Sequence, residues 1–204
     1  MLFSRTCTRG KEQNQPQGKS SYINERTAQK NNTGINTAWQ DEGNAMRILI
    51  ISDTHRKNDN FLNVVQNIGK LDMVIHLGDV EGSEYTIEQA AGCPVEMVAG
   101  NNDFFSNFPS EKTLQIGKYR VMITHGHRYY IGMGNEMLKE EAIAQGMDIV
   151  MYGHTHKPVI DISDNIIAIN PGSLSYPRQE NRRPSYIIME IDEMGEAQFS
   201  LHFV

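Results

Sequence analysis

Five short polar segments of this 204-residue sequence carry side chains suited to bind a divalent metal ion. The segments are Asp53-Thr54-His55, Gly78-Asp79, Gly100-Asn101-Asn102-Asp103, His125-Gly126-His127 and Gly153-His154-Thr155-His156. Asp, Asn and His ligands without cysteine suit a borderline-hard cation such as Mn²⁺, Fe²⁺, Ni²⁺ or Zn²⁺. A single Asp-x-His pair is usually a helix cap or a turn. Because five of the seven histidines lie in these segments, the segments together predict a metal site.

Each of these segments directly follows a predicted β-strand. Continuous apolar, β-branched runs predict buried strands at 47–51, 73–77 and 95–99. Helical spacing of apolar residues predicts helices at 61–68 and 83–90 between them. This alternation predicts parallel strands joined by right-handed crossovers. Since ligand sites of open α/β sheets form at the carboxyl ends of strands, we expect the polar segments to converge.

The second half of the chain is richer in strands. A hairpin is predicted from 112–116 and 119–124 around Gly117-Lys118. Further strands are predicted at 148–152, 159–162, 166–169, 185–191 and 197–203. The complete set predicts an α/β fold, a four-layer αββα sandwich of two mixed β-sheets flanked by helices. The last strand is an antiparallel edge strand in this scheme and could support a homodimer.

Other apolar or reactive residues are given structural roles. A helix is predicted at 135–145, and its expected inner face is formed by Met137, Leu138 and Ile143. The methionines of this region are expected to fill the core, namely Met133, Met137 and Met147. His76 lies in mid-strand and is expected to be a hydrogen-bonded core histidine. Cys93 has no basic neighbour to lower its pKa and is expected to be inert.

Composition excludes several classes of protein. The net charge of −6 argues against a general nucleic-acid binder, and no apolar run is long enough for a transmembrane helix. Two cysteines cannot form a disulfide framework, so a cytoplasmic location is expected. Residues 1–45 carry six basic and four acidic side chains, a charge of +2 that leaves −8 for residues 46–204.

The first 45 residues differ in character from the rest of the chain. They are rich in Asn and Gln and show no helical or strand period, which predicts a disordered polar extension. Two other interpretations remain open: a mitochondrial-type leader, or translation that begins at Met46. In each case the folded domain is expected to span residues 46–204.

The order of the five segments resembles the calcineurin-like metallophosphoesterase superfamily. The resemblance spans about residues 46–190 and is strongest to the small single-domain bacterial and archaeal phosphodiesterases; Asn170-Pro171-Gly172-Ser173 also matches a loop of those proteins. It implies two bound divalent ions, with Mn²⁺ preferred and Ni²⁺, Fe²⁺ or Zn²⁺ as alternatives. The implied ligands are Asp53, His55 and His156 for one ion, Asn101, His125 and His154 for the other, and Asp79 as a bridge between them.

The resemblance also implies a reaction, the hydrolysis of a phosphate ester by metal-bound hydroxide. Asn102 stands where the wider superfamily usually has histidine, and an amide donates a hydrogen bond but no proton. We therefore expect a preference for leaving groups that need little protonation, such as aryl esters. Asp103 is expected either to orient this loop or to cap the following turn. His127 is expected to contact a phosphate oxygen or to be structural.

The sequence leaves three functions to distinguish. A phosphodiesterase acting on a small phosphate ester is the preferred interpretation, and a phosphomonoesterase is the nearest enzymatic alternative. A non-catalytic binding scaffold, similar to a eukaryotic retromer subunit with this fold and a degraded metal site, is the third. All seven implied ligand positions hold competent ligands, which favours an enzyme. A purely structural metal site is disfavoured because such sites are usually closed and four-coordinate.

Overall fold

The computed structural model of the protein describes residues 38–39, 45–163 and 165–204. Three α-helices are present in this part: α1 (Asp59–Asn67), α2 (Glu84–Ala91) and α3 (Glu136–Ala144). The strands are β1 (Ala38–Trp39), β2 (Met46–Ile51), β3 (Met73–His76), β4 (Val95–Met97), β5 (Glu111–Ile116), β6 (Tyr119–Thr124), β7 (Ile149–Met151), β8 (Pro158–Ser163), β9 (Ile166–Pro171), β10 (Ser185–Ile191) and β11 (Ala197–Phe203).

The strands form two mixed sheets. The first has the order β1-β5-β6-β7-β9-β8 and the second β11-β10-β2-β3-β4. β2, β3 and β4 are parallel, and β6, β7 and β9 are parallel. The predicted hairpin is formed by β5 and β6, and β11 is an edge strand as predicted. A dimer through that edge stays a prediction.

The alternation of side chains along β2 shows how the layers are built. Ile48 and Ile50 face a core between the two sheets, whereas Leu49 and Ile51 face a second core beneath α1 and α2. A third core lies between the other sheet and α3. A strand that buries both of its faces reads as a continuous apolar run, which is why 47–51 was recognisable from sequence. The predicted four-layer αββα sandwich is confirmed.

The inner face of α3 differs from the prediction. Leu138 and Ala142, four residues apart, are buried, while Met137 is 53% exposed and Ile143 45% exposed. Met137 and Ile143 each lie next to a buried residue in sequence, and consecutive residues are about 100° apart around a helix. Both side chains therefore lie outside the face that packs against the sheet. Met133 lies outside the helix and is 87% exposed, so its prediction as core is also wrong. Met147 is buried, as predicted.

The segment predicted to be disordered is described only at its end. Ala38 and Trp39 pair in parallel with Gln115 and Ile116 of β5, so these two residues form a strand. The rest of the predicted extension before residue 45 lies outside the described residues. None of the described helices is both long and apolar enough to cross a bilayer.

Candidate metal centre

The polar segments follow β2, β3, β4, β6 and β7, and the backbone at five of their non-glycine residues is in the left-handed region. The φ angles are +55° at Asp53, +46° at His55, +58° at Asp79, +66° at His154 and +58° at His156. Such angles cost a non-glycine residue of order 1 kcal/mol or more, and they cluster at functional sites. The segments therefore bend sharply at the residues implied as ligands.

Asp53 is fully buried, and one of its carboxylate oxygens faces several imidazoles. Oδ2 accepts the backbone N–H of His154 at 3.1 Å. Among the described residues Oδ1 makes no hydrogen bond, yet the Nε2 atoms of His156, His55 and His125 lie 3.1, 3.8 and 3.9 Å from it. A buried, unsatisfied carboxylate oxygen ringed by imidazole nitrogens fits a cation ligand.

Asp79, in the segment that follows β3, contacts the same centre. Its Oδ2 lies 3.5 Å from His125 Nε2 and 3.7 Å from His55 Nε2, so it contacts a histidine of each implied ligand group. Burial raises the pKa of Asp79, but contacts with His125 and Asn102 outweigh it and hold the pKa well below the ordinary value. Burial likewise raises the pKa of Asp53, and His156 and His125 lower it below its ordinary value. Both groups are therefore ionised at neutral pH.

Hydrogen bonds at Nδ1 fix the orientation of three histidines. The pairs are His55 with Glu81 Oε1 at 2.6 Å, His125 with the Leu77 carbonyl at 2.7 Å, and His156 with the Tyr176 carbonyl at 2.7 Å. Because these oxygens accept hydrogen bonds, each Nδ1 is the donor and each neutral ring presents the Nε2 lone pair to the centre. This is the arrangement of metal-binding histidines, whose other ring nitrogen is held by an oxygen.

Two short distances between implied ligand atoms also indicate a cation site. His55 Nε2 and His156 Nε2 are 3.4 Å apart, and His125 Nε2 is 3.1 Å from Asn101 Oδ1. With Nδ1 protonated, lone pairs face one another in both pairs unless a proton or a cation lies between them. Burial lowers the pKa of His125, but Asp79 and Asp53 raise it above its ordinary value, because the two carboxylates favour positive charge here.

The structure brings all seven implied ligands into one centre. The ligand atoms of Asp53, His55 and His156 lie within 4.8 Å of one another, as do those of Asp53, Asp79 and His125. The ring centroid of His154 is 5.2 Å from that of His125. These residues fit a metal centre by donor type, charge and tautomer, while the division of ligands between two ions remains a prediction.

Asp103 anchors the loops that carry the centre. Its Oδ2 accepts the backbone N–H groups of Asp79 and Gly100 at 2.7 and 2.8 Å, and its Oδ1 those of Val80 and Glu81 at 2.9 and 2.6 Å. The contact with Gly100 holds the loop of Asp103 itself, one of the two roles that the sequence left open, whereas the three contacts with the loop after β3 were not predicted. With both oxygens occupied, it is a positioning residue.

Asn102 and His127 border the ligands. Asn102 donates its backbone N–H to Asp79 Oδ1 at 2.8 Å and its side-chain amide to Oδ2 at 2.7 Å. The ring of His127 lies 5.5 Å from that of His125 and 6.2 Å from that of His154, and its buried Nδ1 has no partner among the described residues. Burial, followed by the charges of His125 and His154, lowers the pKa of His127.

Two other sequence predictions concern residues outside the centre. His76 is fully buried; its Nδ1 accepts the Gly78 N–H, so its Nε2 donates to Thr54 Oγ1 at 3.0 Å. Burial lowers the pKa of His76 to about 4, so this core histidine is neutral at pH 7, as predicted. Burial raises the pKa of the Cys93 thiol, which keeps it protonated and unreactive.

Sequence reasoning missed the hydrogen bonds that support the centre from the end of β9 and from the loop after it. Asn170 donates to the Gly153 carbonyl at 2.7 Å, Ser173 to the Asp53 carbonyl at 2.8 Å, and Ser175 to the Thr54 carbonyl at 2.6 Å. The motif 170–173 was visible in the sequence, but its partners were not. Glu81 was also missed, although its place two residues after Asp79 was a usable signal.

A cleft of about 560 Å³ opens over the centre. Its lining residues are His55, Glu81, Asn102, His156, Tyr176, Pro177 and Arg178. The cleft exposes two implied ligands together with polar and charged neighbours, so a small polar molecule can reach the centre.

The family model described as a calcineurin-like phosphoesterase superfamily domain matches residues 46–194. The chain therefore belongs to the calcineurin-like phosphoesterase superfamily. This match covers all five polar segments and the loop after β9. The family resemblance that the sequence suggested is therefore confirmed, and the chain is of the metallophosphoesterase class.

Particular relatives and solved structures agree with this placement. A probable metallophosphoesterase of Bacillus subtilis, YsnB, is 32% identical over 148 residues, which are 72% of this chain and 85% of the relative. The solved structure of an archaeal phosphodiesterase matches with a TM-score of 0.60 and 27% identity, covering 77% of this chain and 100% of that one. A Vps29 structure from Entamoeba histolytica matches with a TM-score of 0.64 and 24% identity over 78% of this chain and 99% of that one, a likeness of fold alone.

Proposed function

We propose that this protein is a metal-dependent phosphodiesterase that hydrolyses a small phosphate ester with the help of two divalent cations, preferably Mn²⁺. The observation that carries the proposal is the buried Asp53 Oδ1, which faces the Nε2 atoms of three histidines whose Nδ1 atoms are all held by oxygens. The likeness to an archaeal phosphodiesterase supports the choice of reaction.

Charge explains how an acidic domain can attract an anionic substrate. Residues 46–204 carry a net charge of −8, obtained from −6 for the chain and +2 for residues 1–45. Two divalent cations bring +4 against −2 from Asp53 and Asp79, so the site becomes locally positive. When bound, such cations lower the pKa of a water nucleophile and neutralise charge on the phosphoryl oxygens.

The residues of the chain have distinct tasks in this scheme. Asp53, His55, His156, Asp79, Asn101, His125 and His154 would hold the cations. Asp103 fixes the loop that carries Asp79, and Glu81 fixes the orientation of the His55 ring. Asn102, which reaches the cleft beside Asp79, can donate a hydrogen bond to a phosphoryl oxygen but cannot protonate a leaving group. We therefore expect aryl phosphodiesters to be better substrates than alkyl ones.

The test combines metal analysis with hydrolysis assays on the full-length protein. Bis(4-nitrophenyl) phosphate and 4-nitrophenyl phosphate are compared in Mn²⁺, Ni²⁺ and Mg²⁺, before and after chelation and readdition of metal. Expected are two equivalents of bound metal, faster turnover of the diester, and loss of activity on chelation. Faster turnover of the monoester would instead establish a phosphomonoesterase.

A binding scaffold is the second candidate function. The observation that favours testing it is the similarity of fold to Vps29. Full metal occupancy without hydrolysis of either ester would overturn the enzymatic proposal in favour of the scaffold. The complete set of seven ligand side chains supports the enzyme, because a protein that only binds partners needs no charged, strained cluster at the base of an open cleft.

A further inference from the structure

The cleft over the metal centre contains one cation whose role the ligand scheme leaves unexplained. Arg178 is the only lysine or arginine among the described residues that line it. Among the described residues its guanidinium makes no hydrogen bond and no ion pair with a carboxylate, and its side chain is exposed. The carboxylate that shares the cleft, Glu81, is engaged by His55 Nδ1 at 2.6 Å. The positive charge of Arg178 therefore stays available to a ligand.

The backbone of Arg178 is tied to an implied metal ligand. Its N–H donates to the carbonyl of His156 at 3.0 Å, while the carbonyl of Tyr176 accepts the hydrogen bond of His156 Nδ1 at 2.7 Å. The Ser173 hydroxyl accepts the N–H groups of Ser175 and Tyr176 at 3.1 and 2.8 Å. The segment that presents the guanidinium is thus held against His156 from both sides.

The other cations near this segment are differently placed. The Lys57 ammonium lies 4.3 Å from the ring centroid of Tyr176, and Arg183 lies over the ring of Phe203 at 5.1 Å; neither lines the cleft. Arg182, on the same loop and also exposed, does not line it either. Position, rather than charge alone, distinguishes Arg178.

We propose that Arg178 is a substrate-binding residue that holds a non-bridging phosphoryl oxygen of the ester beside the metal centre. This proposal rests on the proposed function, since it names the group that recognises the substrate of that site. A planar guanidinium offers several N–H donors in the geometry that phosphate oxygens accept. Its contribution would add to that of the cations, because Arg178 brings a further positive charge to the lining of the cleft.

The experiment uses the full-length, Mn²⁺-loaded protein and three variants: Arg178→Gln, Arg178→Lys and, as the matched control, Arg182→Gln. Affinity for inorganic phosphate is measured by calorimetry, metal content by elemental analysis, and KM and kcat with bis(4-nitrophenyl) phosphate. Loss of a charge-assisted hydrogen bond is expected to weaken phosphate binding and raise KM by about tenfold in Arg178→Gln. Arg178→Lys should recover part of the loss, and Arg182→Gln should stay within about twofold of wild type on each measure.

Two results would overturn the role of Arg178. One is phosphate affinity in Arg178→Gln within twofold of wild type. The other is loss of bound metal from this variant, because the arginine would then act through the metal centre. Failure of the proposed function looks different: the wild type would bind phosphate in an Arg178-dependent manner but hydrolyse neither ester. The binding measurement therefore keeps the two proposals separate.

Discussion

The two implied ligand groups are held with unequal firmness. In the first group, Asp53, His55 and His156, both imidazoles have Nδ1 fixed by an oxygen at 2.6–2.7 Å. In the second group only His125 is held in this way. The ring of His154 makes no hydrogen bond among the described residues; the hydrogen bond of this residue to Asp53 is made by its backbone N–H.

This difference in hydrogen bonding shows which ligand group is already oriented for metal binding before the metal arrives. A ligand whose second nitrogen is already bound loses less freedom when the metal arrives, so its site binds more tightly. We therefore expect two unequal binding steps, the first at Asp53, His55 and His156. The cleft over the centre is lined by His55 and His156 but not by the second group, so a ligand in the cleft would meet the more firmly held group.

The largest effect is expected where the two groups meet, at Asp79. Asp79→Asn removes a carboxylate that contacts His55 and His125, and the variant should lose both metals and roughly 100-fold or more of the diesterase activity. Metal content and initial rates, with thermal unfolding as a check on folding, measure this. Unchanged metal content and rate would show that Asp79 does not connect the two groups.

Single-ligand variants test the inequality directly. His156→Ala should abolish the tighter step of a metal-binding isotherm, whereas His154→Ala should abolish the weaker step and leave the tighter one within about threefold of wild type. Calorimetric titration of the metal-free protein with Mn²⁺ separates the steps. Equal effects of the two variants on both steps would mean that the groups form one cooperative site.

Glu81 gives a finer test, because it acts on the first group through His55 alone. Glu81→Ala should weaken the tighter metal step by about 10-fold, and Glu81→Gln, which keeps an oxygen acceptor, should weaken it less. Glu88→Gln, on the exposed face of α2, is the control and should leave both steps unchanged. A shift of the weaker step by Glu81→Ala would contradict the assignment of Glu81 to one group.

Much of this organisation was accessible from sequence because it depends on local pattern. Apolar runs located most of the strands, and the polar segments after them contain all seven side chains that converge on the candidate centre. Which of those side chains bind metal was implied by the family resemblance and stays a prediction. The prediction for the inner face of α3 was partly wrong for a local reason as well. Met137 and Leu138 are adjacent, and spacing alone did not show which of them points inward.

The supporting contacts were inaccessible for a different reason. Ser173 reaches the Asp53 carbonyl across 120 residues, and Ser175 reaches that of Thr54 across 121. Hydrogen bonds of this kind are set by how the sheets meet, and no local pattern encodes them. The left-handed backbone at Asp53 and His156 is likewise a consequence of tertiary structure, since non-glycine residues rarely choose it locally.

The smallest effect is expected at His127, which borders the less firmly held group without a partner for its buried Nδ1. If its ring contacts a phosphate oxygen, His127→Asn should lower kcat/KM for the aryl diester by about tenfold or less and leave both metal-binding steps unchanged. Because burial lowers its pKa, the ring is neutral at pH 7, and its contribution should be a hydrogen bond rather than a charge. Steady-state kinetics together with the metal isotherm measure both. A selective loss of the weaker metal step would make His127 a support for the second group, and the inequality between the groups would then be smaller than the lack of a hydrogen bond at the His154 ring suggests.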